Sequence, residues 1–406
     1  MLSEGQPVAS RDREFEFLLA CLASKLFSER PLPDPPTDLD WERFYSLLIR
    51  QRLSPHFYVL AKSQRGQWPA SFRQCLRLDH FSLMVYGRQC SNRVQAILTA
   101  LTRTGIPTIV LKGWAYIQAL YNHDPSQRIC SDIDLLVHPR DVSLCEEIFY
   151  RSGCQLERES WPGYNHRYMN GNRFFFPDQS AIPGHAFSIG FHWGLFHAPA
   201  FDPKQLDIER LFEHSLPINV CGVEVRELSV EDAIVYNCAH LDLHHRFEAS
   251  LHDYYEMGAM IVRAGSSLDW KEVVHCANCW KKIVPLRSVL KKIEALWPGI
   301  VPLSVLDRLT RQKPNRIERF VDRWIEKTNG RPAFDHLLTW LTFPDWKQRP
   351  LILLQDVFPS PAYMKWRYGR PFLGIWPLLY LRRFVGAIDR IERNNKTSTT
   401  FPQPAQ

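Results

Sequence analysis

Two aspartates interrupt an apolar run of the sequence, and they restrict how the chain can fold around it. Residues 129–137 are rich in Ile, Leu and Val but contain Asp132 and Asp134. In an extended strand, residues two apart project from the same face, so the two carboxylates would lie side by side, about 7 Å apart by Cα. Like charges repel, and burying either one without a partner is costly. The strand therefore needs a metal ion or basic side chains nearby; two solvated acids at an exposed strand end are the alternative.

The spacing of apolar residues changes twice along the chain. The early and late parts show helical spacing, including one long helical pattern over residues 71–104, whereas the middle is rich in short β-branched runs. The predicted segments are an N-terminal helical region at 1–104, a mixed α/β core at 105–228, a C-terminal helical region at 229–392 and a disordered tail at 393–406. This order predicts an α+β fold with a small mixed sheet between two helical regions.

Within the middle segment, runs of apolar and β-branched residues predict the individual strands. The predicted strands are residues 105–113, 129–137, 167–177, 186–196 and 218–228. A helix is expected to follow the first strand, and another is expected to begin at Pro139.

Composition limits the broad class of the protein. The 406 residues carry a formal charge of +7 without a dense Lys/Arg run, so a polyanionic ligand is compatible but nucleic acid is not indicated. Ten cysteines lie mostly in apolar helical patterns, with no secretory signal before them, which favours reduced thiols in a cytoplasmic protein. No apolar run reaches the length of about 20 residues that a membrane span needs.

Lys112 and Gly113 stand where the first predicted strand ends and a helix begins. The free N–H groups and the dipole of a helix N-terminus attract anions, and glycine lets a phosphate approach the main chain. We assign Lys112 and Arg128 as cations near a polyphosphate, with pairing to Asp132 or Asp134 as the alternative. An anion site beside paired acids predicts nucleoside triphosphate chemistry.

The stretches LKGWAYIQALY and SDIDLLV, with an arginine between them, resemble the signature of the polymerase-beta-like nucleotidyltransferase superfamily. They are most similar to its uncharacterised bacterial branch, in which a Leu-Lys-Gly turn precedes an Asp-x-Asp strand. FHWGLF, SVEDAIVYNCAHLDLHHRFEASLHDYYEM and VFPSPAYMKWRYG are similar to later parts of that branch. The resemblance covers most of residues 40–370 and implies a nucleotidyltransferase core flanked by helical regions.

The resemblance also implies site roles. Asp132 and Asp134 would be the pair that holds Mg²⁺ (or Mn²⁺) against a nucleoside triphosphate, and Gly113 would be the glycine of the phosphate turn. The implied reaction moves a nucleoside monophosphate to an acceptor that the sequence does not identify: a small molecule, a peptide, a protein or an RNA end. His192 and Asp253 lie in segments that resemble the branch, and we take both as candidates for an acceptor pocket; a core histidine and a helix N-terminal pair are the alternatives.

One position departs from the pattern of the branch. The branch often has an acid two residues before its His-Trp pair, and this chain has Gly190 there. Asp178 and Asp202 are the nearest acids that could supply a third ligand. If the position faces the cleft, we expect a carboxylate introduced at Gly190 to raise Mg²⁺ affinity.

Three other features are weaker candidates. His240 and His244 share a helix face and His245 follows them, but the Glu of a zinc protease motif is missing. HCANC, at 275–279, is a lone Cys-x-x-Cys, which does not indicate a zinc site. The basic aromatic stretch 364–384 would bind a membrane surface or nucleic acid, or, with its helical spacing, pack within the protein.

The sequence thus predicts a Mg²⁺-dependent nucleotidyltransferase. The alternatives are a catalytically weak or inactive relative that binds nucleotide or a partner protein, and a metal-dependent hydrolase that uses the same acids.

Overall fold

The computed structural model describes residues 12–63, 68–157, 170–177, 187–196, 206–328, 335–361, 363–364 and 380. Among the described residues, four helices precede the first strand, and the last of them is the 34-residue helix expected from the pattern over 71–104. These helices are α1 (Arg13–Leu26), α2 (Trp41–Arg50), α3 (Ser54–Ser63) and α4 (Ala70–Arg103). The predicted tail at 393–406 and most of the stretch 364–384 lie outside the described residues.

The middle of the chain forms a mixed sheet in which seven strands are described. Their bounds are β1 (Ile109–Leu111), β2 (Asp132–Leu136), β3 (Gln155–Leu156), β4 (Gly171–Phe175), β5 (Ser188–His192), β6 (Leu216–Val220) and β7 (Val223–Glu227). The strand order is β3-β4-β5-β2-β1-β7-β6. Strands β2 and β5 are parallel, as are β1 and β7, while β1 and β2 are antiparallel. The helices α5 (Gly113–Leu120), α6 (Val142–Arg151) and α7 (Ile208–His214) connect these strands, and a short 3₁₀ turn at Pro139 leads into α6.

The predicted strand at 218–228 is wrong in one respect, because residues 216–227 form a hairpin of two strands. Cys221 and Gly222 between them have φ values of +52° and +83°. Two consecutive residues with positive φ give the tight turn whose twist suits antiparallel strands. The Gly222 N–H also donates to the Asn219 side chain. The short strand β3 was not predicted at all.

Helices follow the sheet to the end of the described chain. They are α8 (Val230–His244), α9 (Leu251–Ala264), α10 (Trp270–Cys279), α11 (Ile283–Leu296), α12 (Leu303–Arg311), α13 (Arg316–Thr328), α14 (Asp335–Thr342) and α15 (Arg349–Val357). Ser229 caps α8 through the Asp232 N–H, as the sequence pattern indicates. The fold is therefore α+β, as predicted; the segment boundaries at 104, 228 and 392 stay predictions.

The two faces of the sheet pack against different groups of helices. Successive side chains of a strand project from opposite faces, and those of Ile109 and Leu136 lie in a core shared with α1–α3 and α8–α12. The opposite face sends Ile133 and Leu135 into a second core with α4, α5 and α6. Asp132 and Asp134 share the face of Leu136, so they point toward the helices of the first core.

Two further observations concern the cysteines and the helices. All ten cysteines are free thiols, and most are buried. Among the described residues, no helix combines the length and the apolar character that crossing a membrane requires.

Candidate active site

The two aspartates of β2 lie side by side, as the alternation of the strand predicts. Asp134 is buried and pairs in register with Leu111 of β1 on one side and Gly190 of β5 on the other. Asp132 is one step closer to the start of the strand and is partly exposed. The sheet therefore presents both carboxylates where the ends of β1, β2 and β5 meet.

Asp134 is an ionised carboxylate held by two side chains. Lys112 Nζ lies 3.1 Å from its Oδ2, and His192 Nε2 lies 3.2 Å from its Oδ1. Burial alone would raise the pKa of Asp134, but the Lys112 ammonium and the His192 hydrogen bond lower that pKa well below its ordinary value. The compensating cation expected from the sequence is therefore Lys112, the alternative role that we considered for it.

Asp132 differs from Asp134 in having no such partners. Within the described part of the chain, no group hydrogen-bonds to its carboxylate; its main-chain oxygen accepts from Trp114 Nε1 at 3.0 Å and from Cys130 Sγ at 3.1 Å. Burial, together with the neighbouring charge of Asp134, raises the pKa of Asp132 above its usual value. A carboxylate in this state gains from any added cation.

The turn between β1 and α5 has a conformation that glycine suits. Lys112 has φ +36° and Gly113 has φ +24°. A Cβ on Gly113 would lie 3.2 Å from Cys130 Sγ and 3.6 Å from Arg128 Nη1, so both the backbone and the available space favour glycine. The turn opens α5, whose first N–H groups carry the positive end of the helix dipole.

Two histidines at the C-terminal end of α8, His240 and the capping residue His245, complete the surroundings of Lys112. Its Nζ donates to His240 Nε2 at 2.9 Å, and His245 Nε2 lies 3.1 Å from the same nitrogen. The sequence pattern singled out these histidines only as a weak metal site with His244; their contact with Lys112 was not foreseen, since 128 residues separate His240 from it.

The side chain expected at position 190 has no room in this structure. Gly190 and His192 do face the carboxylates. However, a Cβ on Gly190 would lie 2.1 Å from Asp134 Oδ1 and 3.2 Å from His192 Nε2. The Asp134 carboxylate itself fills the place of the missing acid, so a side chain introduced at Gly190 would have to displace it. The effect of such a carboxylate on Mg²⁺ affinity stays a prediction. Asp178 and Asp202, the other acids considered, lie outside the described residues.

Arg128 pairs with Glu256 of α9 and with neither aspartate. Its Nε and Nη2 contact the two Glu256 carboxylate oxygens at 2.7 and 2.9 Å. The side chains of this pair are only 11% and 4% exposed, and Tyr121 also donates to Glu256 at 2.9 Å. Burial would raise the pKa of Glu256, but the Arg128 charge lowers it below its ordinary value. The alternative role of Arg128, pairing with Asp132 or Asp134, is therefore wrong, while its role as a cation near a polyphosphate stays a prediction. Glu256 was missed because no local signal marks it.

Asp253 sits at the N-terminus of α9 and acts there as part of a capping box. Its Oδ2 accepts from both the N–H and the hydroxyl of Ser250, each at 2.8 Å. Its Oδ1 lies 3.7 Å from Arg52 Nη1, and its charge is felt by His245. Asp253 thus has the helix-capping role that was its alternative, and it lies at the edge of the site. His192 orients Asp134 through their contact. A part for either in an acceptor pocket stays a prediction.

The donor set of the site suits a divalent cation that binds oxygen. Asp132 offers a carboxylate without hydrogen bonds, and Asp134 offers oxygens that an ammonium already contacts, which are hard ligands of the kind Mg²⁺ prefers. In the described ranges, no group of three or more His, Cys, Asp or Glu side chains is placed to hold a metal. A metal here would therefore need further oxygens from phosphate and water. Cys276, from the lone Cys-x-x-Cys, contacts Asp232 and Glu272 within the core.

Comparison with known proteins gives the following matches. The model of a family described as "uncharacterised nucleotidyltransferase" matches residues 37–298, which is more than half of the chain. The solution structure of the antibiotic-resistance factor ANT(2'')-Ia matches over 50% of this chain and 92% of that chain, with 17% identity and a TM-score of 0.30. The comparison with curated proteins found no match.

Proposed function

Because the chain belongs to the family of uncharacterised nucleotidyltransferases, we propose that it moves a nucleoside monophosphate from a nucleoside triphosphate to an acceptor hydroxyl. In this reaction the acceptor oxygen bonds to the α-phosphorus, and the bond from that phosphorus to the bridging oxygen breaks. Pyrophosphate leaves with the electrons of the broken bond, and the hydroxyl proton is released to water. The acceptor class is left open.

The carboxylates of β2 are the groups that we propose would hold a divalent cation with the triphosphate. Mg²⁺ or Mn²⁺ supplies neutralisation of the phosphate charge when it is bound. Asp132 binds it through a carboxylate with no competing hydrogen bonds. Asp134 stays ionised at neutral pH because Lys112 and His192 stabilise its charge.

The turn at Gly113 would position the triphosphate. Free N–H groups at the start of α5 donate to phosphate oxygens, and the positive φ of Gly113 allows the backbone to turn there. Lys112 adds a positive charge between this turn and Asp134. The Arg128–Glu256 pair supports the turn, because Arg128 Nη1 packs on the side of Gly113 where a Cβ would lie.

The observation that carries the proposal is the state of Asp132. A partly buried carboxylate without a hydrogen-bond partner is unfavourable in a purely structural role, and it lies next to another carboxylate and an anion-binding turn. Binding of a cation together with a polyphosphate removes this unfavourable interaction.

A second candidate is nucleotide binding without turnover. The observation in its favour is that the space of a third acid at Gly190 is filled by Asp134, whose charge Lys112 already balances. A protein of this kind would bind a nucleoside triphosphate and release it unchanged.

The test is a transfer assay with nucleoside triphosphates labelled at the α-phosphate, supplied with Mg²⁺ or Mn²⁺ and a cell extract as the source of acceptors. We expect label on an acceptor, and we expect Asp132→Asn to abolish it while the variant stays folded. Tight binding without transfer would favour the second candidate. Equal transfer by wild type and Asp132→Asn would contradict the role of Asp132.

A further inference from the structure

A cavity of the protein has Lys112 among its lining residues. It measures about 240 Å³ and is enclosed by the ends of β1 and β7 and by α5, α8 and α9. Most of its lining is aliphatic, and alanines from three helices keep its interior open: Ala115, Ala119, Ala233 and Ala264. Leu216, which is 50% exposed, also lines this cavity. The cavity can take one flat ring system but is smaller than a typical drug-sized pocket.

Polar groups in this cavity have unused hydrogen-bonding capacity. Among the described residues, none hydrogen-bonds to the Glu227 carboxyl, and burial raises its pKa to about 7 against the opposing charge of Arg263. Asn237 Nδ2 donates to the Tyr116 hydroxyl and to the Ala233 carbonyl. These two bonds use only the Asn237 donor group, so the amide oxygen remains available as an acceptor.

Lys112 belongs both to this cavity and to the candidate active site. It lines the cavity, while its Nζ contacts Asp134 at 3.1 Å. Leu111 and Ala115, on either side of the Gly113 turn, line the cavity as well. A ligand whose phosphates lie at the turn would therefore have its remaining part next to the cavity.

We propose that this cavity binds the heterocyclic base of the nucleoside triphosphate, with an edge of the base hydrogen-bonded to Glu227. Each base is a flat ring whose edge carries donors and acceptors, so it matches an aliphatic slot with a single carboxyl group. A purely aliphatic ligand would leave Glu227 without a partner. This inference rests on the proposed function, because it names where that substrate's base binds.

The test compares the binding of nucleoside triphosphates with that of inorganic tripolyphosphate, which has no base, by calorimetry with Mg²⁺. Wild type should bind at least one of ATP, CTP, GTP and UTP about tenfold or more tightly than tripolyphosphate. Glu227→Leu should remove most of this difference while leaving the tripolyphosphate affinity within about twofold. Glu227→Gln, whose side chain can still donate and accept hydrogen bonds, should restore the difference in affinity between nucleotide and tripolyphosphate. Ala119→Met, which fills the slot, should act like Glu227→Leu.

Glu224→Leu is the matched control, since Glu224 is exposed on the same strand and lies outside the cavity. It should leave every affinity unchanged. Equal affinity of wild type for tripolyphosphate and all four nucleotides would overturn the inference, as would tight nucleotide binding that Glu227→Leu and Ala119→Met leave intact; both results leave the proposed function standing. Failure of folded wild type to bind either kind of ligand would instead overturn the proposed function and this inference with it.

Discussion

Gly190→Ala tests the geometry of the site most directly. The added Cβ would lie 2.1 Å from Asp134 Oδ1, so the carboxylate must move. Movement breaks its contact with His192 at 3.2 Å and strains the one with Lys112 at 3.1 Å. Hydrogen bonds to charged groups stabilise the folded state by about 1.5–3 kcal/mol each. Replacing a glycine within a strand by alanine has the opposite effect here, because it stabilises the folded state by about 0.5–1 kcal/mol. We therefore expect the free energy of unfolding to fall by about 2–4 kcal/mol.

The assay is urea unfolding of four proteins that form a double-mutant cycle: wild type, Gly190→Ala, Asp134→Ala and the double variant. In the Asp134→Ala background the clash has gone, so Gly190→Ala should then cost nothing or stabilise slightly. The coupling energy between the two positions should be about 2–4 kcal/mol. Ser188→Ala, two residues earlier on β5, is the control and should change stability by less than about 0.5 kcal/mol.

Two results would refute this reasoning. One is a Gly190→Ala variant as stable as wild type, which would mean that Asp134 does not occupy the space beside Gly190. The other is an equal loss of stability from Gly190→Ala in the wild-type and Asp134→Ala backgrounds, which would mean that the added Cβ clashes with a group other than Asp134. A change in the slope of unfolding against urea would show instead that the variant altered the unfolded or native state more broadly.

Other charged side chains of the site and its surroundings give three further expected outcomes. Asp132→Asn should raise the free energy of unfolding by relieving repulsion, whereas Asp134→Asn should lower it by about 2 kcal/mol; urea titrations that rank them the other way would contradict the assigned partners. Arg128→Met should cost about 3–5 kcal/mol because Glu256 stays buried without its partner, and a loss below about 1 kcal/mol in the same titration would argue against a buried pair. Glu227 has a folded pKa of about 7 against 4.5 when unfolded, so the folded state keeps a proton that the unfolded state has lost. Wild-type stability should therefore fall by about 1–2 kcal/mol between pH 4.5 and 7, after allowing for solvent access, and Glu227→Gln should lack this loss when thermal melts at the two pH values are compared.

Local sequence patterns predicted the elements of the site well. The alternation around Asp132 and Asp134 gave the paired carboxylates, and the Lys112–Gly113 junction gave the strand-to-helix turn. Both features depend on neighbours within a few residues, whose geometry follows from the period of the strand and the conformational freedom of glycine.

The partners of these residues could not be predicted in the same way. Glu256 and His240 come from helices more than 120 residues away, and nothing in their own segments marks them as partners of Arg128 and Lys112. Gly190 shows the opposite problem, because its sequence context indicates a missing ligand. Only the pairing of β5 with β2 reveals that the absent side chain leaves room for Asp134.

The first core, which joins the earliest helices to those after the sheet, has a consequence for synthesis of the protein. Trp297, the residue after α11, donates its indole N–H to the Leu19 carbonyl of α1. The Leu251 N–H of α9 donates to the side-chain oxygen of Gln51. At about 5–20 residues per second, a ribosome needs roughly 15–55 s to reach Trp297 after Leu19 has been made. During that interval the apolar side of α1 lacks part of its packing partner, and transiently exposed apolar surface of this kind is prone to aggregation. Glu256 also emerges 128 residues after Arg128, so the candidate site is assembled only when most of the chain has been translated.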